Sequence, residues 1–474
     1  MANRLPTSTE HVATRVLAVE RHDGIGVGSH RAAQALLLPA CTALLAYGVF
    51  ADGAFFWPQA RILTVSILVA AAIAAPLALR QSWAVLGASA ILAIGLVVSA
   101  WVNGWPPQTV GLFATVGIAA GFFVTAAGVV LRGQRDQLLE AMCWLSALVA
   151  AGGFLGLSFH AAPWALWATE IWRDSSALGY ANATALAFVM MLPAGILLAA
   201  RKPSLGARLA LYMNLVGFLS TLSRGGALAA VAMVASLLFL GHRSVLRPLA
   251  RPLAGALVAL AGVLPSASGN AFPVPALGCL VAGGVVAALP PAGIRRAGGR
   301  RIPIPVLAAI ASTATLAGLL VLSRGLRTGL VLSRWHLLGD ARIHTWTASL
   351  GAALAHPVFG TGPGTFGLIE SGSDGTLTLT RYAHNEWIHA LFETGMVGVL
   401  CLLGALLVLC LWAIRRRRTA DPLVWAAAFS VSAAFVAQGT VDFVWHFPAL
   451  IAVAFTWLAI GTVVPRSNGL EEGS

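Results

Sequence analysis

Three stretches gather most of the side chains in this chain that could do chemistry. TLSRGGA, residues 221–227, places Arg224 in a short turn between two apolar runs. RIHTW, residues 342–346, is followed by the glycine-rich HPVFGTGPGTF, residues 356–366. RYAHNEWIHALFETGMVG, residues 381–398, leads from a polar segment into another apolar run. Arg224 and Arg342 each admit two readings. An interfacial arginine can snorkel to lipid headgroups, or its planar fork can clamp a phosphate bidentately. Gly225 and Gly226 would let a ligand approach the backbone beside Arg224. Gly362 and Gly364 belong to a compact turn rather than a nucleotide loop, since no GK[ST] follows.

In the third stretch Asn385 is a natural N-cap for the helix that follows, and a helix N-terminus favours an anion. His384 beside it is a polar cap or a reactive imidazole, and Arg381 is close enough in sequence to shape the same anion site. His384 and His389 are five residues apart, about 140° around a helix, so they do not converge on a metal. His389 and Glu393, four apart, can hydrogen-bond inside a helix bundle. The five cysteines, Cys41, Cys143, Cys279, Cys401 and Cys410, form no CxxC pair. Neither zinc nor a disulfide framework is indicated, and no metal or cofactor is expected.

The elements that must hold these residues follow from composition. Of 474 residues 58% are hydrophobic and only 10% charged, with a mean hydropathy of +0.84. A soluble domain carries about 25% charged residues, so a soluble globular enzyme and a disordered chain are both excluded. The formal charge of +13 would suit a nucleic-acid binder, but 29 of the 30 basic residues are arginines set mostly in short clusters between apolar runs. That is how cytoplasmic loops of membrane proteins are marked.

The expected fold is an all-α, polytopic membrane helix bundle. A crossing needs about 20 apolar residues. Windows of that length place spans near 33–51, 62–79, 83–101, 109–131, 138–158, 180–200 and 207–221. They continue near 225–240, 252–267, 272–289, 303–322, 387–411, 423–441 and 447–464, fourteen in all, or twelve if the weak spans 207–221 and 272–289 merge with others. With the N-terminus inside, 22 of the 30 basic residues fall on cytoplasmic segments, which argues for an N-in, C-in topology. Residues 1–32 then form a cytoplasmic arm, 33–464 the bundle and 465–474 a cytoplasmic tail. The first membrane helix serves as the targeting signal.

Residues 323–386, between the eleventh and twelfth spans, form the one long extracytoplasmic loop, and its aromatics argue against a floppy linker. Within it, 342–356 reads as an amphipathic helix with Ile343, Trp346, Leu350 and Ala353 on one side. Trp164, Trp167 and Trp172 in segment 159–179 read as interfacial anchors. The mid-membrane stretches are nearly free of charge. Arg224, Arg334, Arg342, Arg381, His384 and Asp442 collect instead at the extracytoplasmic edge, which suits an enzyme working there better than a proton-coupled transporter.

Taken in order, TLSRGG, RIHTW with HPVFGTGPGTF, and HNEWIHALFETGMVG resemble the O-antigen ligase and polymerase superfamily. VDFVWHFPA, residues 441–449, resembles a closing segment of some members, and GYANATA, residues 179–185, a less distinctive feature; together the motifs span roughly 175–450. The fourteen spans exceed the twelve common in that superfamily, and the extra pair falls at 252–289. The resemblance implies a metal-independent glycosyltransferase of the bacterial cytoplasmic membrane, with its active site on the extracytoplasmic face. Such an enzyme moves a glycan from an undecaprenyl-pyrophosphate-type carrier to an acceptor hydroxyl on a glycolipid, a glycan or a protein. Carried over by motif, Arg224 and Arg342 bind the pyrophosphate and His384 activates the acceptor; Arg381, close in sequence to His384, is a weaker candidate for the same pyrophosphate. Asn385, Glu393, Gly362 and Gly364 support the site. Donor, acceptor and bilayer are then the partners, and nucleic acid is not. The alternative from another class is a transporter or flippase of lipid-linked glycans. It calls for an internal repeat, which the sequence does not display.

The charge asymmetry predicts topology directly. Reporter fusions at Arg135, Lys202, Arg247, Arg300 and Arg418 should read cytoplasmic, and those at Asp174 and Asp374 extracytoplasmic. A cytoplasmic signal at Asp374 would put His384 in the wrong compartment.

Overall fold

The computed structural model describes residues 33–168, 171–289, 340–371 and 377–465. The expected arm 1–32, span 303–322, Arg334 and the tail from 466 lie outside the described residues. What is described is mostly helical. The helices are α1 (Leu37–Phe50), α2 (Trp57–Val102), α3 (Thr109–Leu131), α4 (Arg135–Phe159), α5 (Ala181–Arg201), α6 (Leu205–Ser220) and α7 (Arg224–Phe239). They continue with α8 (Ala250–Val263), α9 (Pro273–Ala288), α10 (Asp340–Ala355), α11 (Glu386–Arg416), α12 (Pro422–Gly439) and α13 (Pro448–Thr462). Two antiparallel hairpins complete the described residues, β1 (Ala165–Ala168) with β2 (Ile171–Asp174), and β3 (Leu368–Ser371) with β4 (Leu377–Thr380).

Among the described residues seven helices are long and apolar enough to cross a membrane: α2, α3, α4, α5, α8 with its flanking turns, α11 and α12. Five more of the expected spans correspond to apolar helices of 14 to 16 residues, namely α1, α6, α7, α9 and α13. These fall short of the roughly 20 residues a perpendicular crossing uses. Expected spans 62–79 and 83–101 run together as the 46-residue α2. Straight, such a helix would be about 69 Å long. Yet both its ends meet the same part of the molecule. Phe55, just before it, packs on Tyr382 with ring centroids 5.8 Å apart, and Ser99 near its end donates to the carbonyls of Phe359 and Glu393 at 2.7 and 3.3 Å. The first half descends beside α3, Ile67 against Gly121 and Ala74 against Gly128; the second returns beside α11, Ile91 against Gly404 and Gly95 against Cys401. The chain therefore reverses between Ala74 and Ile91, the stretch that holds Pro76 and Arg80.

Two ends of the bundle can be told apart by chemistry. At one, Arg201 bridges Asp136 at 3.3 Å and Asp421 at 2.6 Å, Lys202 lies 3.8 Å from Asp136, and Arg135 donates to the carbonyl of Val463 at 2.8 Å. The basic loops at 132–135 and 201–208 thus meet there, joined by the α11–α12 turn through Asp421. At the other end lie both hairpins, the α6–α7 turn, α10 and the start of α11. Exposed Trp57, Trp101, Trp105 and Trp167 also stand at this end, as aromatic side chains do at a lipid–water boundary. Of the expected anchors, only Trp167 is exposed: Trp172 stacks on His160 with centroids 4.4 Å apart, and Trp164 packs on Gly152 and Gly156 of α4.

Helix α10 forms where expected. Thr345, Ser349 and Ala353 are buried, whereas Ile343 and Leu350 are about two-fifths exposed (41% and 42%). Its small residues allow close approach to the neighbouring elements, which the bulkier Ile343 and Leu350 would prevent. The α8–α9 pair, the expected extra spans, packs through Gly255 against Gly283 and Gly262 against Cys279, the close helix contact that small residues permit.

Helix α11 is broken at Gly395, where φ is 61° and ψ −164°, a backbone region essentially confined to glycine. The glycine-rich stretch repairs the break. Thr361 and Gly362 donate their N–H groups to the carbonyls of Phe392 and Glu393 at 3.0 and 2.9 Å. On the far side Met396 and Val397 donate to the carbonyls of Pro357 and Val358 at 2.9 and 3.1 Å. Irregular backbone at the membrane boundary needs such substitutes, since lipid supplies none. A Cβ at Gly395 would overlap the Val358 backbone, and one at Gly360 the Glu393 backbone. Gly395→Ala is therefore expected to destabilise the protein by roughly 2 kcal/mol or more. Thermal unfolding of the purified variant in detergent checks this, against Gly351→Ala, where a Cβ meets nothing.

Candidate active site

Asp442 is the centre of the polar cluster at the end marked by the hairpins. It sits in the loop between α12 and α13 and is fully buried. A buried carboxylate must be supplied with donors, and here they come from three other places in the chain and from its own loop. His384 Nδ1 lies 3.0 Å from Asp442 Oδ1. Tyr180 donates its hydroxyl to the carboxylate at 3.0 and 3.1 Å, Asn182 donates through Nδ2, and Phe443 donates its backbone N–H at 2.9 Å. Arg342 Nη2 stands 3.9 Å away, while its Nη1 donates to the carbonyl of Val441 at 2.7 Å. Burial would raise the Asp442 pKa, but the His384 hydrogen bond and charge, followed by Arg342, outweigh it and hold the carboxyl below its usual value. Burial, and then the Asp442 charge, push the Tyr180 phenol well above its ordinary range, so it remains a donor.

His384 reaches this position from a left-handed backbone, φ 52°, uncommon for a residue with a side chain and a recurrent feature of functional sites. Asn385 follows as the N-cap of α11, its Oδ1 accepting from Trp387 and Ile388 N–H at 3.0 and 3.1 Å. Its Nδ2 donates to the carbonyl of Thr440 at 2.9 Å, tying the start of α11 to the loop that carries Asp442. Because the carboxylate accepts from Nδ1, a proton resides there, and in the neutral ring the lone pair falls to Nε2. The His384 ring is about one-third exposed (32%), so that nitrogen can be reached. Among the described residues the charge nearest this ring is the Asp442 carboxylate.

The cluster extends to the TLSRGG turn through Asn182. Its Oδ1 accepts from Ser223 Oγ at 2.7 Å and from Arg173 Nη2 at 3.0 Å, and its backbone carbonyl accepts from Gln438 Nε2 at 2.8 Å. Arg173 also donates through Nε to the carbonyl of Thr221 at 3.0 Å. Ser223 caps α7 by accepting from Gly226 N–H at 3.0 Å. Arg224, the first residue of α7, therefore opens its helix directly beside this network, with its side chain exposed.

The other expected residues divide. Arg381 is exposed, beside the half-buried Tyr382. Glu393 accepts the Phe366 N–H at 3.0 Å and sits 3.2 Å from His389 Nε2, the pair expected from their spacing. Gly362 and Gly364 pack against Pro106 and Gln108 in the α2–α3 connection; they shape the loop and do not join the His384 cluster. Tyr180, Asn182, Arg173, Ser223 and Gln438 were not singled out from the sequence, and Asp442 was noted only as one of several polar residues at the edge. The available signal was the acid in VDFVWHFPA, a lone charge amid apolar residues.

Residues 209–403 match the O-antigen ligase family model. The matched stretch runs from α6 into α11 and contains every expected site residue, from Arg224 to Glu393; Asp442, Tyr180 and Asn182 lie outside it. No curated protein matches the chain. The family match supports the superfamily that the motifs resemble and, with the apolar helices, an O-antigen ligase-like integral membrane enzyme.

The depressed Asp442 carboxyl carries a pH signature. Its stabilising contribution is present above the usual carboxylate value of 3.8 and is lost as pH falls through the lower, folded value. The polar cluster should thus stay intact in detergent at pH 5. Asp442→Ala, which strands Arg342 and the buried donors, should destabilise by about 3–5 kcal/mol, measured by thermal unfolding at neutral pH. An unfolding midpoint equal to that of the wild type would mean the cluster contributes nothing to the fold.

Proposed function

We propose that this protein is a metal-independent glycosyltransferase that moves a glycan from a polyprenyl-pyrophosphate carrier to an acceptor hydroxyl at the extracytoplasmic face of the bacterial cytoplasmic membrane. The observation that carries the reading is the His384–Asp442 pair at the N-terminus of α11, with Arg342 on the same carboxylate. The family match supports the general class of reaction. In this reading His384 Nε2 accepts the acceptor's proton as the acceptor oxygen attacks the anomeric carbon. The bond from that carbon to the pyrophosphate oxygen breaks, and its electron pair leaves with the carrier. A single displacement of this kind inverts the anomeric configuration. Asp442 holds the ring in the required tautomer and stabilises the positive charge that develops on it, the role a buried carboxylate takes behind a histidine base.

The leaving pyrophosphate departs readily once its charge is held, so it needs little acid help. Arg342 and Arg224 are assigned to it, with exposed Arg381 as an outer contact. Guanidinium forks match phosphate oxygens bidentately and carry their charge at any physiological pH. The opening turn of α11 adds the positive end of a helix dipole. Asn385 fixes that turn, and Glu393 with the 360–366 turn fixes the helix behind it. Among the acceptors in view (the lipid A core, a growing glycan and a protein hydroxyl) the first suits a ligase and is the one to assay first.

The test is transfer from an undecaprenyl-pyrophosphate oligosaccharide to a rough lipopolysaccharide acceptor by purified protein, with EDTA present. His384→Ala should retain donor binding while turnover falls by roughly a hundredfold or more. Arg224→Ala and Arg342→Ala should lose transfer, with lysine restoring only part. Near wild-type turnover in His384→Ala would reduce the histidine to a polar neighbour of the helix cap, and full activity in Arg224→Lys would reduce that arginine to headgroup anchoring.

A further inference from the structure

Three consecutive residues at the start of α11 grip the loop between α12 and α13. His384 holds the carboxylate of Asp442, and Asn385 holds the carbonyl of Thr440. The third, Glu386, has no part in the chemistry above, yet it is 4% exposed and both its oxygens are engaged by that loop. Oε1 accepts the Trp445 backbone N–H at 2.6 Å, and Oε2 lies 3.3 Å from His446 Nδ1. We propose that Glu386 and His446 form a positioning pair that clamps loop 440–447 against α11 and keeps Asp442 behind His384.

The proposal rests on the reading of His384 and Asp442 as the reacting pair. Its physical basis is the uneven tethering of the loop. Asp442 is fixed at one end by Asn385 through Thr440, and at the other by Glu386 through Trp445 and His446. The lower tether is charged and can therefore titrate. The titratable groups facing His446 are Glu386, His389 and Glu393 from α11, with Tyr382 from the segment before it; the His389 and Tyr382 rings lie 4.4 and 5.1 Å away between centroids. Burial alone would lower the His446 pKa, but the Glu386 charge and hydrogen bond, then Glu393, reverse this and bring it above the ordinary 6.5. With a raised folded value, the ion pair is complete below the ordinary value and is lost as pH rises through the raised one. The clamp therefore imposes a descending limb on the pH profile as His446 loses its charge.

A displacement of about 1 Å at a reacting group can lower turnover up to a hundredfold, so the clamp should be read in turnover and not in donor affinity. The experiment uses the full chain in lipid nanodiscs and two readouts. Hydrogen exchange of the peptide containing Trp445, corrected for the intrinsic pH dependence, needs no substrate. Its protection should fall roughly tenfold or more in Glu386→Ala, and in the wild type should fall as pH rises through the raised His446 value. Glu386→Gln is nearly isosteric and keeps an acceptor for Trp445 while removing the charge; with it, or with His446→Gln, that pH dependence should vanish. In the transfer assay kcat of Glu386→Gln should drop roughly tenfold with KM for the donor within about twofold, and the descending limb should disappear.

Unchanged Trp445 protection in Glu386→Ala overturns the clamp. So does a descending limb that persists in both Glu386→Gln and His446→Gln. A wild type that shows the pH-dependent protection but transfers no glycan would sustain the clamp and sink the glycosyltransferase reading. Transfer by the wild type with unaltered exchange and pH profile in the variants would sink the clamp alone.

Discussion

A carboxylate removed from water has to be surrounded by donors, and the site end of this molecule is arranged around that requirement at Asp442. Its partners are a phenol, an amide, an imidazole, a guanidinium and a backbone N–H, drawn from the start of α5, the start of α11, α10 and its own loop. Removing a single partner would leave the charge under-satisfied, so the positions of these elements are mutually constrained. Asn182 extends the constraint to the α6–α7 turn and to α12 through Ser223 and Gln438. The arginine expected to meet the donor and the histidine expected to meet the acceptor are thus set by one buried group that touches neither substrate in the proposed reaction.

The glycine-rich turn illustrates a different kind of support. Read as sequence, HPVFGTGPGTF invites comparison with phosphate-binding loops. In the structure its backbone groups are spent on α11, closing the hydrogen-bond ladder opened by Gly395. The break lets His389 and Glu393 sit in a short, separately braced first segment of α11, with Phe366 stacked on His389 at 4.6 Å between centroids. The end of the helix beside His384 is thereby held by the loop as well as by the rest of α11.

Much of this was legible in the residues. Low charge and long apolar runs announce helices in lipid, and α3, α4, α5, α11 and α12 lie close to their expected bounds. Basic clusters 132–135 and 201–208 do gather at one end, as the charge count requires. The reversal inside α2 coincides with a gap between two hydropathy windows, although no helix-breaking sequence other than Pro76 marks it. Helix bounds were legible as well: α6 and α7 stop within two residues of the expected 207–221 and 225–240, on either side of the polar turn that carries Ser223. In α10 the pattern marked the apolar stripe, whereas the inward contact through Thr345, Ser349 and Ala353 depends on close approach, which hydropathy does not register. Within the site, His384, Asn385 and the arginines stand out by type. Asp442 and Asn182 do not, because their importance arises from contacts between residues far apart in the chain, which no local spacing encodes.

The same long reach bears on how the enzyme comes into being. Asp442 meets Tyr180 across 262 positions and His384 across 58. While the chain is being made, every arginine assigned to the donor enters the membrane before the carboxylate that orients the histidine has left the ribosome. A nascent chain halted anywhere before that loop could already hold anions at its outer edge and yet have no ordered base. In the proposed reading, completion of the last two helices brings the histidine and its carboxylate together, so truncation products left by interrupted synthesis would not transfer.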